Sequence, residues 1–427
     1  VKFVHAADIH LGSPLGGLSL RADAPKDEIR GAPRRAFERL IDYCTDQDID
    51  LLLVAGDLFD GRADLETQLF VEAQFRRLQE HSVRCVLLRG NHDATSRQLL
   101  QLRLPEGVEE LPVDGAHSIS FVDLGVVVHG RGFAEQHVTE QFVVNYPDAW
   151  PGVFNIGMLH TSASGFGRHE VYAPCTVDQL LGKHYDYWAL GHIHNRAVLS
   201  EDPPIIFSGN LQGRDPGETG AKGATLVQVD NGVIVGKPSH LEFDVVRWHA
   251  ISVDLSGCNG EDAVLDAVEN QTRDLLGITD NELQHVVRID CVGRTVLHRE
   301  IADATSTWSD KIQQVVADAG ADRVWIERLW FKTSPPLPPV DTLRAREDMV
   351  GELARELEAQ SRSDVLPASL QASLQTLATK IPDALMSGEN RITVAGISDG
   401  VSASDLLGEV ERDLLSRLVV GEQVGMD

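Results

Sequence analysis

Short apolar runs and helical stretches alternate through the first half of the chain. The runs fall at residues 1–7, 51–55, 83–88, 154–159 and 185–190, with helical spacing at 33–44 and 66–80. This alternation predicts an α/β domain. Each run ends in residues with donor atoms: Asp8 and then His10, Gly56-Asp57, Gly90-Asn91-His92-Asp93, His160, and Gly191-His192-Ile193-His194. The carboxyl ends of strands are where open α/β sheets place their sites, because the strand is rigid and the following loop is free to vary.

Other runs read as further strands. Residues 118–122 and 126–129 predict a hairpin around Asp123-Leu124-Gly125, and 224–229 and 233–235 predict another around Asn231-Gly232. With 205–207, these runs predict two packed sheets with helices outside. Strands at 250–255, 285–292 and 323–331, with helices at 261–276 and 310–319, predict a small α+β module. The proline-rich segment 334–339 is a stiff, extended breaker. Beyond it Met349, Leu353 and Leu357 recur every four residues, as do Leu366, Leu370, Leu374 and, one residue early, Leu377. Leu406, Leu407, Val410, Leu414, Leu415 and Leu418 share a face behind a capping box of Ser402 and Asp405. The expected organisation is 1–245, 246–333 and 334–427, the last a helical region suited to packing on its own module or on a partner.

The 427 residues provide enough apolar chain for two or three domains. The sequence shows no run suited to a membrane span and no basic-then-apolar leader, so a soluble, cytoplasmic protein is expected. Five scattered cysteines without a CxxC pair are expected to be buried thiols. The net charge of −27 argues against a protein that wraps nucleic acid with basic residues. It leaves room for an enzyme that meets phosphates through bound cations.

Asp carboxylate, Asn carbonyl and neutral imidazole are donors that Mn²⁺, Fe²⁺ or Zn²⁺ accept. The pairs Asp8/His10 and His192/His194, each separated by one residue, are expected to point the same way, and the preceding glycines fit sharp strand exits. Asp8, His10, Asp57, Asn91, His160, His192 and His194 make seven donors, enough for two metals sharing a carboxylate. Each motif alone is weak. Their joint occurrence, in order and always after an apolar run, is what carries the reading.

The ordered motifs DxH, GDxxD, GNHD, a lone His and GHxH resemble the calcineurin-like metallophosphoesterase superfamily over residues 1–240. The opening Phe3-Val4-His5-Ala6-Ala7-Asp8-Ile9-His10-Leu11-Gly12, the form Gly56-Asp57-Leu58-Phe59-Asp60 and Ser208-Gly209-Asn210-Leu211-Gln212 resemble the bacterial SbcD-type DNA-repair exonucleases, particularly their YhaO-like relatives. The resemblance implies a two-sheet metallophosphoesterase sandwich flanked by helices, followed by a capping module and a helical tail. It also implies two divalent ions, with manganese foremost. Asp8, His10 and His194 would hold one ion, Asn91, His160 and His192 the other, and Asp57 would bridge them. His92 is implied as the non-ligand acid. Asp60 stands where archaeal and eukaryotic members have histidine, and is expected to support a ligand; Arg97 is a candidate phosphate contact. The implied partners are DNA, an SbcC-like ABC-type ATPase and a second copy of the chain.

Two other readings share these residues. A phosphoesterase for cyclic nucleotides or phosphoproteins needs the same metal core. A non-catalytic scaffold with this fold would typically have lost ligands, and none of the seven is missing. His5, His81, His117, His129, His169 and His184 lack the paired context and are expected to be ordinary core or surface histidines.

Overall fold

The computed structural model describes residues 1–13, 29–61, 64–95, 102–163, 172–277, 283–320, 323–336 and 340–361. The chain divides into two compact units. The first comprises Val1–Ser252, Val268–Asp290 and Asp310–Trp330; the second comprises Val253–Ala267, Cys291–Ser309 and the chain from Phe331 onward.

The first unit opens with β1 (Lys2–Ala6), α1 (Ala32–Asp46), β2 (Leu51–Ala55), α2 (Leu65–Glu80), β3 (Arg84–Leu88) and β4 (Val108–Glu110). Then come β5 (His117–Phe121), β6 (Val126–Gly130), β7 (Phe154–His160), α3 (Val177–Leu181), β8 (Tyr187–Gly191), β9 (Ala197–Glu201) and β10 (Pro204–Phe207). β11 (Gly223–Asp230), β12 (Val233–Ile234) and β13 (Ser239–Glu242) complete the two large sheets. One sheet runs β12-β11-β1-β2-β3-β4, with β13 also on β11, and the other runs β5-β6-β7-β8-β10-β9.

Strand β2 shows why the layers form. All five of its residues are buried, and their side chains alternate between two cores. Leu52 and Val54 pack with Phe37, Leu40 and Ile41 of α1 and with Val71, Phe75 and Leu78 of α2. Leu51, Leu53 and Ala55 pack with Ile156 and Met158 of β7 and Tyr187 and Ala189 of β8. The outer face of the second sheet, with Trp188, Leu190, Ile205 and Phe207, is covered by Phe133, Phe142, Tyr146 and Leu180. Each fully buried side chain of this size contributes ~1.5–3 kcal/mol.

The helices follow their sequence cues. In α1 residues 33, 36, 37, 40, 41 and 44 are buried, the spacing of one helix face, and Pro33 sits in the first turn. Asp64 caps α2 by accepting the Thr67 N–H at 2.8 Å. Both predicted hairpins are present, and the second turns through Asn231 (φ 49°) and Gly232 (φ 76°), as its two-residue loop requires.

The chain continues with β14 (Val246–Asp254), α4 (Glu261–Gly277), β15 (Gln284–Arg294), α5 (His298–Asp303), α6 (Thr305–Gly320) and β16 (Val324–Ser334), and the three strands form a sheet in that order. In the second unit α7 (Val340–Arg344) and α8 (Met349–Ser361) share a small core of Leu343, Val350 and Ala354. The expected stripe departs from the buried face at its start, for Met349 is 85% exposed while Val350 is buried, and Leu353 is half-buried beside the buried Ala354. The leucine stripes from 366 onward, Ser402 and Asp405 lie outside the described residues. All five cysteines are free and buried.

Candidate metal centre

Parallel pairing brings the donor-bearing loops to one edge of the first unit. β1, β2 and β3 are parallel in one sheet and β7 and β8 in the other. Their carboxyl ends carry Asp8 and His10, Asp57, Asn91 and His92, His160, and His192 and His194. The Asp8, His10, Asp57 and His192 backbones have φ of 52°, 50°, 54° and 99°, so four of the seven candidate ligands leave their strands in the left-handed region. Such conformations are costly and cluster at functional sites. The pairs separated by one residue are thus aimed by turns, where strand geometry was expected to aim them.

The glycines also act differently from expectation at two positions. Gly56 does turn sharply, with φ 96°. Gly90 and Gly191 are required by close approach: a Cβ at Gly90 would lie 2.2 Å from Asp57 Oδ1, and one at Gly191 would lie 1.9 Å from the Ala55 carbonyl oxygen.

One carboxylate oxygen stands between two donor groups. Asp57 Oδ2 lies 3.8 Å from His10 Nε2 and 3.4 Å from His160 Nε2. Its other oxygen accepts the His92 backbone N–H at 2.9 Å. On one side Asp8, His10 and His194 converge, with His10 Nε2 and His194 Nε2 3.2 Å apart; on the other Asp8, Asp57 and His160 converge. Asn91 Oδ1 lies 3.0 Å from His160 Nε2, and the His192 ring packs edge-on to the His160 ring with centroids 5.3 Å apart. Asp8 accepts the His192 backbone N–H with both oxygens. The structure thus gathers all seven expected residues, and His92 with them.

The facing of their acceptor atoms fits a cation. His160 Nδ1 donates to the Ala55 carbonyl at 3.0 Å, which leaves Nε2 with its lone pair facing the oxygens of Asn91 and Asp57. A proton or a cation between them reconciles three acceptors that face one another. Burial opposes charging His160, yet Asp57 draws a proton to it and pushes its pKa up to about 9. Burial would likewise raise Asp57, but the imidazoles, His160 foremost, hold it well below the usual carboxylate range. His194 Nδ1 donates to Glu218 Oε1 at 2.5 Å, so its Nε2 lone pair is turned toward His10 and Asp8. A carboxylate behind an imidazole is the usual support for a histidine ligand. Burial would raise Glu218, but the His194 bond together with the positive charges of His194 and Arg214 outweighs it and brings Glu218 down to about 2.

Asp60, expected to support a ligand, lies closest to His92: Asp60 Oδ1 is 2.7 Å from His92 Nδ1 and 3.9 Å from His10 Nδ1. That bond is the main cause of a raised His92 pKa. Arg97 lies outside the described residues. His5 is a satisfied core histidine, accepting from the Tyr187 hydroxyl at 3.0 Å and donating to the Leu190 carbonyl at 3.2 Å.

Asp93 stands in the GNHD motif but had no expected role, and Glu218 and Arg214 were not expected at the site at all. Asp93 accepts the backbone N–H groups of Leu58, Phe59 and Gly90 and so ties the loop after β2 to the loop after β3. Glu218 and Arg214 lie in the stretch between β10 and β11, which has no apolar run to mark it. The available signal was the need of His194 for an acceptor behind its ring.

The calcineurin-like phosphoesterase model matches residues 1–196, and the middle-domain model of metallophosphoesterase YhaO matches 248–334. The chain is 36% identical over 278 residues to the uncharacterised metallophosphoesterase YhaO of Bacillus subtilis, covering 63% of this chain and 67% of that one. It is 25% identical over 359 residues to the DNA double-strand break repair protein Mre11 of Methanopyrus kandleri, covering 77% of this chain and 70% of that one. Among solved structures, a dimetal phosphatase from Danio rerio aligns with a TM-score of 0.32 at 12% identity, over 53% of this chain and 91% of that one.

Proposed function

The chain belongs to the calcineurin-like metallophosphoesterases, and from that premise we propose that it is a two-metal phosphodiesterase acting on DNA, as a repair exonuclease. The observation that carries the reading is the single Asp57 oxygen between two groups of donors whose lone pairs face inward. Asp8, His10 and His194 would hold one ion and Asn91, His160 and His192 the other, with Asp57 shared. Divalent ions there would neutralise phosphate charge and make water a stronger nucleophile, and Mn²⁺ suits this mixed oxygen and nitrogen set, as do Fe²⁺ and Zn²⁺.

The chain's own residues supply the remainder. His92 is 37% exposed at its side chain and is fixed by Asp60 at Nδ1. Its Nε2 is the atom from which a proton passes to the leaving oxygen, and the bond from Asp60 favours the protonated ring. Asp93 fixes the two loops that carry Asp57 and His92, so acid and bridging carboxylate keep their spacing.

DNA is favoured over cyclic nucleotides or phosphoproteins by the Mre11 likeness, which extends beyond the phosphoesterase match, and by the extra module at 248–334. The SbcD resemblance adds an SbcC-like ABC-type ATPase partner and a homodimer to the proposal. The test is a digest of end-labelled linear DNA with Mn²⁺, comparing the protein with Asp57→Asn. The expected result is progressive shortening by the unaltered protein and none by the variant. Intact DNA alongside turnover of cyclic nucleotides or phosphopeptides would overturn the DNA assignment.

A further inference from the structure

Arg214 belongs to none of the motifs above, yet it is built into the site. Its backbone N–H donates to Glu218 Oε2 at 2.8 Å, while Glu218 Oε1 receives the His194 Nδ1 proton at 2.5 Å. One carboxylate therefore fixes both a candidate ligand and the arginine's own backbone. The same Glu218 oxygen that bonds Arg214 also accepts from Asn210 Nδ2 at 2.7 Å, which anchors the loop further.

The guanidinium is held by charge more than by hydrogen bonds. Nη1 lies 3.6 Å from Asp60 Oδ2 and Nη2 3.5 Å from Glu218 Oε1, both longer than the ~2.7–3.2 Å of a good N–H···O bond. Nη2 is also 3.4 Å from His194 Nδ1, but that nitrogen gives its proton to Glu218 and has no lone pair to offer. Arg214 Nε is buried and has no hydrogen-bond partner among the described residues. A planar cation with five donors is thus positioned between the partner of the candidate acid and the partner of a candidate ligand, with its bonding capacity largely unspent. Its side chain keeps 17% exposure, so it is not sealed in the core.

We propose that Arg214 binds the substrate phosphate directly, donating to its non-bridging oxygens beside the metal-binding residues. A guanidinium fork matches phosphate geometry, and the two flanking carboxylates fix its position without occupying its donors fully. This inference rests on the phosphodiesterase reading and adds to it a specific phosphate contact.

The test is calorimetric titration of inorganic phosphate into the Mn²⁺-loaded full chain and its Arg214→Gln and Arg214→Lys variants. Mn²⁺ content and turnover of the p-nitrophenyl ester of thymidine 5′-monophosphate are measured on the same samples. Arg214→Gln is expected to weaken phosphate binding about 10- to 100-fold and to raise KM by a similar factor at unchanged Mn²⁺ content, with Arg214→Lys recovering part of both. Phosphate affinity and KM within about twofold of the unaltered protein would overturn the proposal. Loss of Mn²⁺ from both variants would also overturn it, by assigning Arg214 to support of His194, as would an unaltered protein that binds no phosphate. Arg214-dependent phosphate binding in a protein that cleaves no phosphodiester would instead strike the phosphodiesterase reading and leave the contact standing.

Discussion

Asp60 Oδ1 and His92 Nδ1 are 2.7 Å apart, the closest contact the Asp60 carboxylate makes with a histidine of the site. The carboxylate thereby holds the ring at Nδ1 and leaves Nε2 for another partner. Asp60→Asn keeps the shape but loses the charge-assisted bond, and is expected to lower kcat about 10- to 100-fold with Mn²⁺ content unchanged. Steady-state kinetics paired with elemental analysis checks this, and a fall in Mn²⁺ content parallel to kcat would place Asp60 among the metal supports.

Glu218 stands behind His194 as Asp60 stands behind His92. Removing it in Glu218→Ala frees the His194 ring and the Arg214 backbone together. The expected effect is a 10- to 100-fold loss of Mn²⁺ affinity, measured by titration of the metal-free protein. Affinity within twofold of the unaltered chain would contradict the supporting role.

Gly191→Ala would set a methyl group 1.9 Å from the Ala55 carbonyl oxygen and 2.9 Å from His160 Nδ1. Both neighbours are fixed in the sheet edge, so at least ~2 kcal/mol of destabilisation is expected. Gly115→Ala meets nothing within 4 Å and serves as the control, with a change within ~0.5 kcal/mol. Urea denaturation of the two variants makes the comparison.

His249 Nε2 and His285 Nδ1 are 3.0 Å apart, and burial foremost brings both rings down to about 4. In the unfolded chain they titrate near the ordinary ~6.5. Folding therefore favours the neutral rings: their contribution is full above pH ~6.5 and is lost as pH falls toward 4. Tm is expected to fall across that window, and to fall less steeply in His249→Gln. Identical slopes in the two proteins would contradict the assignment.

The sequence made the donor set legible for a physical reason. Asp8, Asp57, Asn91, His160 and His192 each follow an apolar strand, and a parallel sheet brings the carboxyl ends of its strands to one edge. What it could not display were contacts between loops distant along the chain. Asp93 lies 34 residues from the Phe59 N–H that it accepts, and Glu218 lies 24 residues from His194. The need for Gly191 arises from the carbonyl of Ala55 in the other sheet, which no local pattern reveals. Met349 is exposed where the stripe was expected to be buried because Val350 and Ala354 also fit a helical period, and they share a core with Leu343.

Whether Asp57 is shared between two cation sites is decided by counting the bound ions. The metal-free chain would be titrated with Mn²⁺, desalted and analysed for metal, beside Asp57→Asn. Two ions per chain are expected, with the variant retaining one or fewer. At most one ion in the unaltered protein, or two ions in the variant, would contradict the sharing.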